Sequence, residues 1–378
     1  MLFQKPQTGV FFAFCLYSFS FGALFPRIGD LQTQMNVSQS TLGFSIIGIS
    51  IGVQLALIVA GRITDTFGYK KVMLTSVPFI GLSEALAATA TTPLFFFTCL
   101  LFTGFAIGLV EVAVNVEADR VEYHLGRRIM NRSHAFWSFG FFLAGMLGAV
   151  VAQFGVEAWQ HLAALFVITS VISCYAFSKY QPAAPRPSDG KSHQLFVKPT
   201  KPIMILVLLS LSAMLLEGAG IDWSVIFMRD IFGTPPIVNG LALALFAISQ
   251  FAVRFVADSF VEKYGAYKIA IYSIFVMGIG VVLVSTSYFA VMALAGFALI
   301  GAGSAVIFPL TISAAAQLKD RNSALNVASF AQFSFVVFLL APPILGTVAE
   351  YFGIRISYAI GLPLIMISLM TVSSLRSR

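Results

Sequence analysis

Charged residues are scarce in this chain. Asp, Glu, Lys and Arg make up 10% of its 378 residues, while hydrophobic residues make up 58%. Because soluble globular domains carry about 25% charged residues, this composition excludes a sizeable soluble domain. A membrane-spanning helix needs about 20 residues, so the chain has room for a dozen spans joined by short loops. We therefore predict an all-α, multi-pass membrane protein.

Cysteine and the sequence motifs of nucleotide-driven proteins are also lacking. The three cysteines fall inside apolar runs without C-x-x-C spacing, so neither a disulfide framework nor a metal site is indicated. No G-x-x-x-x-G-K-[ST] loop is present, which argues against ATP-driven transport within this chain. No nucleophile–base arrangement points to an enzyme. We expect no catalytic residues, no metal and no cofactor, with a proton gradient as the energy source.

Apolar runs predict twelve spans, and a stretch rich in Pro and Ser divides them into six and six. Such a stretch cannot bury a core and is typical of a flexible linker. We predict an N-terminal six-helix bundle over 1–178, a linker over 179–202 and a C-terminal six-helix bundle over 203–378. The predicted spans are 8–28, 41–60, 72–91, 94–118, 133–153, 158–178, 203–228, 237–257, 268–286, 289–316, 324–347 and 355–375.

The two predicted bundles repeat each other in sequence. Leu147-Gly148 recurs as Leu345-Gly346, 198 residues later. Asp65, Gly68 and Lys71 recur as Asp258, Gly265 and Lys268, at offsets close to this value. A near-constant offset over half the chain predicts two pseudo-symmetric bundles. In membrane transporters such repeats move against each other around a site near the midplane of the bilayer.

Positive charge is distributed unevenly between the loops. Of the 23 Lys and Arg residues, 20 fall in segments on one side of the predicted topology. The positive-inside rule therefore places both termini in the cytoplasm, and the net charge of +7 reflects topology rather than nucleic-acid binding. We expect a monomer in a bacterial-type inner membrane, with lipid and a small-molecule substrate as partners. The basic segments are residue 5, 61–71, 119–132, 179–201, 254–268, 319–321 and 376–378.

The segment 61–71, GRITDTFGYKK, follows the second predicted span. It resembles the G-x-x-x-D-x-x-G-[RK]-[RK] signature of the major facilitator superfamily. The resemblance implies the fold of that superfamily and a cytoplasmic gate that latches the outward-open state through charge pairs. The gate candidates are Gly61, Asp65, Gly68, Lys70 and Lys71, the degenerate copy Arg254 and Asp258, and Arg128 and His134 after the fourth span.

Carboxylates inside apolar spans are functional-site candidates by default, since burying them is costly. Glu111 lies in the fourth span, and Asn115 shares its helix face. Glu217 and Asp222 lie in the seventh span. We predict Glu111, Glu217 and Asp222 as proton-coupling residues. The alternative for Glu111 is a structural hydrogen bond to an adjacent helix, and for Asp222 an outer gate or interfacial anchor.

The pattern from Glu111 to Gly140, with Glu217-Gly218-Ala219 and Asp222-Trp223-Ser224, resembles the YbjJ-type bacterial permeases of the fucose-permease-like branch. Sugar/proton symporters of that branch carry a carboxylate in the fourth span, which Glu111 matches. They also carry one in the first span, whereas residues 8–26 contain no Asp or Glu here. The candidates for substrate contact are Tyr17, Asn115, Trp137, Trp223 and Gln250.

These observations favour a secondary transporter that works by alternating access and couples protons to the symport of a small polar solute such as a sugar. Two alternatives stay open. The 38 Phe residues would suit a broad aromatic cavity for proton-coupled efflux of amphipathic compounds. A non-transporting membrane receptor or scaffold on the same fold would bind a ligand without moving it.

Overall fold

The computed structural model describes residues 5–185, 197–321 and 323–376. Arg186, Lys191 and Arg378, which the charge count includes, lie outside these ranges. Within the described ranges the regular structure is helical, and eleven helices are long and apolar enough to cross a membrane. The first bundle contributes Pro6–Met35 (α1), Gln39–Ala87, Pro93–Leu125 (α4), Met130–Gln153 (α5) and Ala158–Lys179 (α6). The second contributes Lys201–Phe232 (α7), Pro236–Tyr264 (α8), Ala266–Ser285 (α9), Ala290–Ala316 (α10), Leu325–Phe352 (α11) and Ile354–Leu375 (α12).

The 49-residue helix Gln39–Ala87 contains two of the predicted spans. At Gly68 the backbone has φ 79° and ψ 156°, a conformation that only glycine adopts easily. The chain therefore turns at Gly68, and we call 39–67 α2 and 69–87 α3. The twelve predicted passes are confirmed. An even number of passes brings both chain ends to one side of the molecule, here called the terminal face, and the opposite side is the far face.

Two turns of the first bundle recur in the second with nearly the same backbone conformation. Gly265, between α8 and α9, has φ 82° and ψ 150°, nearly the values of Gly68. Asn36 after α1 and Gly233 after α7 are both left-handed, with φ 51° and 58°. Each pair is separated by 197 residues, so the sequence repeat is also a repeat of backbone structure.

Local sequence explains where several helices begin. The hydroxyl of Ser38 accepts a hydrogen bond from Thr41 N at the start of α2, and Thr92 does the same for Phe95 N at the start of α4. Such side-chain caps satisfy backbone N–H groups that the first helical turn leaves free. Pro93 is the first residue of α4, where its missing N–H costs nothing.

Small residues let α2 and α4 pack backbone to backbone. A Cβ on Gly104 would lie 2.0 Å from the carbonyl oxygen of Ile49, and one on Gly52 would lie 2.1 Å from that of Leu101. Gly108 is similarly close to Ala56. Close approach through small residues is a common way to hold membrane helices together. It fixes the rotation of α4 and thereby the direction of its polar face.

On the far face the two bundles are joined by a dense set of hydrogen bonds. The Arg229 guanidinium of α7 donates to the carbonyl of Gly29 and to Gln32 Oε1, both at 2.7 Å. Gln39 Nε2 donates to Asp230 Oδ2 at 2.9 Å. Ser40 N donates to Glu350 Oε2 at 3.0 Å. The far face is therefore closed over the interior of the molecule.

Towards the terminal face, a cavity of about 70 Å³ lies between α5, α8 and α10. Its lining includes Asn131, His134, Arg254, Asp258 and Pro309. A cavity of this size holds only a few water molecules. A solute would need the bundles to part further.

Both ends of the predicted linker contact the bundle from which they extend. Glu117 Oε1 of α4 accepts hydrogen bonds from Tyr180 Oη and Ala183 N, each at 2.8 Å. At the other end, Val197 N donates to Gln332 Oε1 at 3.1 Å, and Ser329 donates to the carbonyl of Val197 at 3.0 Å. The first pair of contacts stays within the first bundle and the second within the second.

Candidate functional site

A row of hydrogen bonds links α1, α4 and α5 around Glu111. The phenol of Tyr17 donates to Glu111 Oε2. Asn115 Nδ2 donates to Glu111 Oε1 at 3.0 Å, as their four-residue spacing on α4 allows. Asn115 Oδ1 in turn lies 3.3 Å from Nε2 of His134. Tyr17, Glu111 and Asn115, predicted from the sequence as site residues, are therefore in contact.

His134 belongs to this row. It was predicted at the cytoplasmic gate, where α5 begins. The structure places its ring against Asn115 and edge-on to Phe14, with ring centroids 5.1 Å apart. This position is inside the bundle.

Arg254 falls both in the predicted eighth span, 237–257, and in the basic segment 254–268, and the structure places it inside the helix. The charge count placed it in the basic segment 254–268, but α8 continues to Tyr264. Arg254 therefore lies ten residues before the end of that helix, about 15 Å along its axis. It is only 9% exposed. A buried arginine at membrane depth needs a partner, and it has one in Glu217.

The guanidinium of Arg254 is held on three sides. Nη2 lies 3.1 Å from Glu217 Oε1, forming an ion pair between α8 and α7. Nη1 donates to Ser138 Oγ of α5 at 2.9 Å. Nε donates to the carbonyl of Ala305 at 3.1 Å. Because Ser138 belongs to the first bundle, Arg254 joins the two bundles as well as pairing within the second.

Ser138 and Gln250 complete the contact between the bundles. Ser138 Oγ lies 3.0 Å from Gln250 Oε1, and both side chains are buried. Nε2 of Gln250 is buried and has no hydrogen-bond partner among the described residues. It is thus a free donor inside the interface between the bundles.

The two sets of contacts form one polar layer. His134 of the first set and Arg254 of the second line the same cavity. We call the group the central polar layer, and it consists of Tyr17, Glu111, Asn115, His134 and Ser138 from the first bundle and Glu217, Gln250 and Arg254 from the second. Trp137 borders it, packing on Phe141 with ring centroids 4.5 Å apart and lying beside Tyr17.

Asp222 and Trp223 lie outside the central polar layer. Asp222 is 8% exposed and makes no hydrogen bond within the described residues; it lies beside Tyr358. Trp223 is fully buried, and an added Cβ on Gly346 of α11 would lie 3.0 Å from its ring. These two predicted residues therefore lie inside the second bundle, where α7 packs against α11 and α12.

Most of the predicted gate residues are dispersed over the terminal face. Asp65 is exposed and makes no hydrogen bond or ion pair in the part of the chain that is described. Lys70 Nζ contacts the carbonyl of Ser178. Among the described residues, Gly61, Lys71 and Arg128 form no hydrogen bond with the second bundle. Asp258 differs, since it accepts from Asn131 across the two bundles. No group of three or more His, Cys, Asp or Glu residues suited to a metal occurs among the described residues.

Comparison with known proteins identifies the family. The model of the family described as "Major Facilitator Superfamily" matches residues 10–223 and 205–377, which together cover nearly the whole chain. The chain belongs to the major facilitator superfamily. It is accordingly a transporter and not an enzyme.

Relatives within the superfamily agree over almost the full length. The "Uncharacterized transporter y4wD" of Sinorhizobium fredii is 28% identical over 357 residues, which are 94% of each chain. The D-xylose–proton symporter superposes with a TM-score of 0.79 at 14% identity, covering 98% of this chain and 97% of that one. The fucose:proton symporter of E. coli gives 0.63 at 17% identity, covering 97% and 98%. At these identities the two structures establish the fold alone.

Three contacts in or next to the central polar layer could not be predicted from the sequence: those of Ser138, of the Ala305 carbonyl, and of Asn131 with Asp258. Ser138 follows His134 by one helical turn, which puts the two on one face of α5, and this spacing was the available signal. The Ala305 carbonyl and the interaction of Asn131 with Asp258 left no comparable pattern. They depend on how α5, α8 and α10 pack in this member of the superfamily.

Proposed function

We propose that this protein is a proton-coupled symporter of a small polar solute, with Glu111 as the protonation site. The observation that carries the proposal is the central polar layer. A carboxyl, a phenol, an amide and an imidazole form one connected row in the first bundle, beside an arginine–carboxylate pair of the second bundle. Polar residues concentrated at membrane depth in a transporter mark the path of substrate and ions.

The connections within the layer suggest how a proton would be coupled to movement. Glu111 binds the phenol of Tyr17 and the amide of Asn115. A protonated Glu111 has lost its negative charge and has one acceptor oxygen fewer, so this row must rearrange. The change reaches His134 through Asn115, and Arg254 through the electric field. Since Arg254 contacts Ser138 of the other bundle, the rearrangement would loosen or tighten the contact between the bundles.

The chemistry of the layer favours a solute rich in hydroxyl groups. Gln250 offers a free buried donor, Asn115 and Ser138 offer donors and acceptors, and the Trp137 ring offers an apolar face at the border. Sugars are bound by this combination of planar hydrogen-bonding side chains and an aromatic surface. The D-xylose–proton and fucose:proton symporters share the fold, and the layer supplies the polar groups that such a solute needs.

Topology and gating follow from the same proposal. The terminal face carries most of the Lys and Arg residues, so we place it in the cytoplasm, with the protein as a monomer in a bacterial-type inner membrane. The units that move would be 1–178 and 203–378, joined by 179–202. Glu217 would stabilise Arg254, and Asp65 with the neighbouring loop residues would latch the terminal face when it closes.

The central test is Glu111→Gln in proteoliposomes. The solute is first identified by thermal-shift screening of the purified protein against sugars, amino acids, organic acids and drugs at two pH values. Glu111→Gln should abolish proton-driven accumulation while counterflow exchange of the solute persists. Glu84→Gln is the matched control, because Glu84 is buried in α3 and has no bond to the central polar layer. If Glu111→Gln accumulates solute like wild type with unchanged pH dependence, the proposal is wrong.

A second candidate, proton-coupled efflux of amphipathic compounds, is favoured by an aromatic row between α5 and α8. Phe251 packs on Phe139 at 5.2 Å and lies 6.2 Å from Phe136 between ring centroids. Such rings bind flat apolar compounds without strict geometry. Cells lacking the protein would accumulate a toxic dye if it exports, and would lose growth on one solute if it imports. A non-transporting receptor would bind ligand but show no counterflow.

A further inference from the structure

Pro309 and Pro342, in two helices of the second bundle, each leave a backbone carbonyl without its helical partner. Proline has no N–H, so the carbonyl four residues earlier loses its hydrogen bond. Pro309 in α10 frees the carbonyl of Ala305, and Pro342 in α11 frees that of Phe338. In a membrane interior such a carbonyl must find another donor.

Each of these two carbonyls, of Ala305 and Phe338, accepts a hydrogen bond from a polar side chain of another helix. Arg254 Nε of α8 donates to the carbonyl of Ala305 at 3.1 Å. Ser50 Oγ of α2 donates to the carbonyl of Phe338 at 2.8 Å. The helix is visibly interrupted at the first site, since α10 consists of Ala290–Ser304 and Ile307–Ala316 with a break between them. Two independent positions therefore show the same arrangement.

The contact at Ala305 has a consequence for the rest of the Arg254 side chain. A guanidinium is planar and rigid, so fixing Nε fixes the directions of both Nη groups. With Nε on the Ala305 carbonyl, Nη2 points to Glu217 and Nη1 to Ser138. Without that contact the head group could rotate away from either partner.

We propose that Pro309 is a positioning residue for the central ion pair: by withholding its N–H, it keeps the Ala305 carbonyl available to orient Arg254. This deepens the proposed function, because Arg254 is the group through which the two bundles meet in the central polar layer. Replacing Pro309 with an amino acid that has an N–H should therefore displace the Arg254 guanidinium, even though the replacement allows a more regular helix at this position. The break in α10 is then part of the site rather than a defect in packing.

The test is a pair of double-mutant cycles on the thermal unfolding of the purified full-length protein. The first cycle combines Pro309→Ala with Arg254→Lys, since lysine has no Nε–H and no fork. The second combines Pro342→Ala with Ser50→Ala and serves as the matched control. Residues that act through each other are non-additive, whereas distant sites add. We expect the effect of Pro309→Ala on Tm to fall by at least about half in the Arg254→Lys background and to be unchanged by Ser50→Ala. The effect of Pro342→Ala on Tm should fall in the Ser50→Ala background and be unchanged by Arg254→Lys.

A spectroscopic readout separates positioning from general stability. Infrared difference spectra of protein with isotope-labelled arginine, wild type minus Arg254→Lys, isolate the guanidinium bands of Arg254. Pro309→Ala should shift these bands, and Pro342→Ala should leave them in place. If Pro309→Ala does not fold, Pro309→Val restores the same N–H and replaces it in both measurements. Unshifted bands, or an equal change in Tm with and without Arg254, would overturn the proposal; neither result depends on a solute or on proton coupling by Glu111.

Discussion

The two bundles share their backbone but not their chemistry. Turns and helix ends recur 197 residues apart with almost the same φ and ψ. At the same offset, Glu111 and Asn115 correspond to Phe308 and Ile312, and Arg254 corresponds to Leu57. The repeat therefore retains the turns and helix ends of a six-helix bundle. Each polar residue of the central polar layer, in contrast, occurs in one bundle only. An asymmetric site on a symmetric frame lets each half contribute a different group.

The largest effect is expected from Arg254, whose counterpart in the first bundle is Leu57. Arg254→Leu leaves Glu217 buried without its partner, and breaking a buried ion pair costs about 3–5 kcal/mol. We expect uptake into proteoliposomes to fall at least about 100-fold and Tm to drop. The double variant Arg254→Leu/Glu217→Leu should recover Tm, because no unpaired charge remains, but not uptake. Normal uptake by the single variant would show that the ion pair is not part of the site.

One tyrosine from each bundle tests whether uptake depends on the central polar layer or on the stability of the bundles. Tyr17→Phe removes the donor to Glu111 and should reduce uptake about 10-fold or more, since hydrogen bonds to a charged group contribute about 1.5–3 kcal/mol. Tyr358 of α12 instead donates to the backbone carbonyl of Ala219 at 2.7 Å. Tyr358→Phe should lower the free energy of unfolding by about 1 kcal/mol and leave uptake unchanged. Equal effects of both changes on uptake would contradict a role of Tyr17 in transport and of Tyr358 in stability alone.

The turn glycines test the shared backbone. Gly68→Ala and Gly265→Ala each force a residue with a Cβ into positive φ, at a cost of about 1–3 kcal/mol. Because φ and ψ agree at the two positions, the two losses in the free energy of unfolding should be alike. Gly278→Ala is the control, since an added Cβ there meets nothing closer than 3.7 Å. Chemical denaturation of the three variants measures these free energies of unfolding. A loss for only one of Gly68→Ala and Gly265→Ala would show that the two turns are not equivalent.

The smallest effect concerns the loop between α10 and α11. Asp320 accepts hydrogen bonds from Asn326 Nδ2 and Thr200 Oγ1, both at 2.8 Å, and these bonds hold the pKa of Asp320 below its ordinary value. A carboxylate with a lowered pKa stabilises the fold above its unfolded pKa of about 4. This contribution is lost as the pH falls through the lower folded value. Tm of Asp320→Asn should therefore be slightly below wild type at pH 7, and the difference should vanish in acid; a constant difference would exclude this origin.

Much of the fold could be predicted because its signals are local. The apolar runs, the glycine at each turn and the four-residue spacing of Glu111 and Asn115 depend on neighbouring residues only. The predicted eighth span, 237–257, contains Arg254, but its partners Glu217 and Ser138 could not be predicted in this way. Counting charges assigns a residue to a loop by its distance along the chain from other charges, and it carries no information about which distant helices supply a partner. The orientation of Trp223 towards α11 depends equally on packing between distant segments.

The linker contacts described earlier have a consequence for how the protein could be assembled. Glu117 fastens Tyr180 and Ala183 to the first bundle, and Ser329 and Gln332 fasten Val197 to the second. Neither anchor crosses between the bundles, so motion of one bundle against the other does not pull either anchor apart. The covalent connection then acts as a tether that sets the local concentration of the two bundles. Two separately synthesised chains, one for each bundle, would meet through the far-face contacts of Arg229 and the central contact of Arg254 with Ser138.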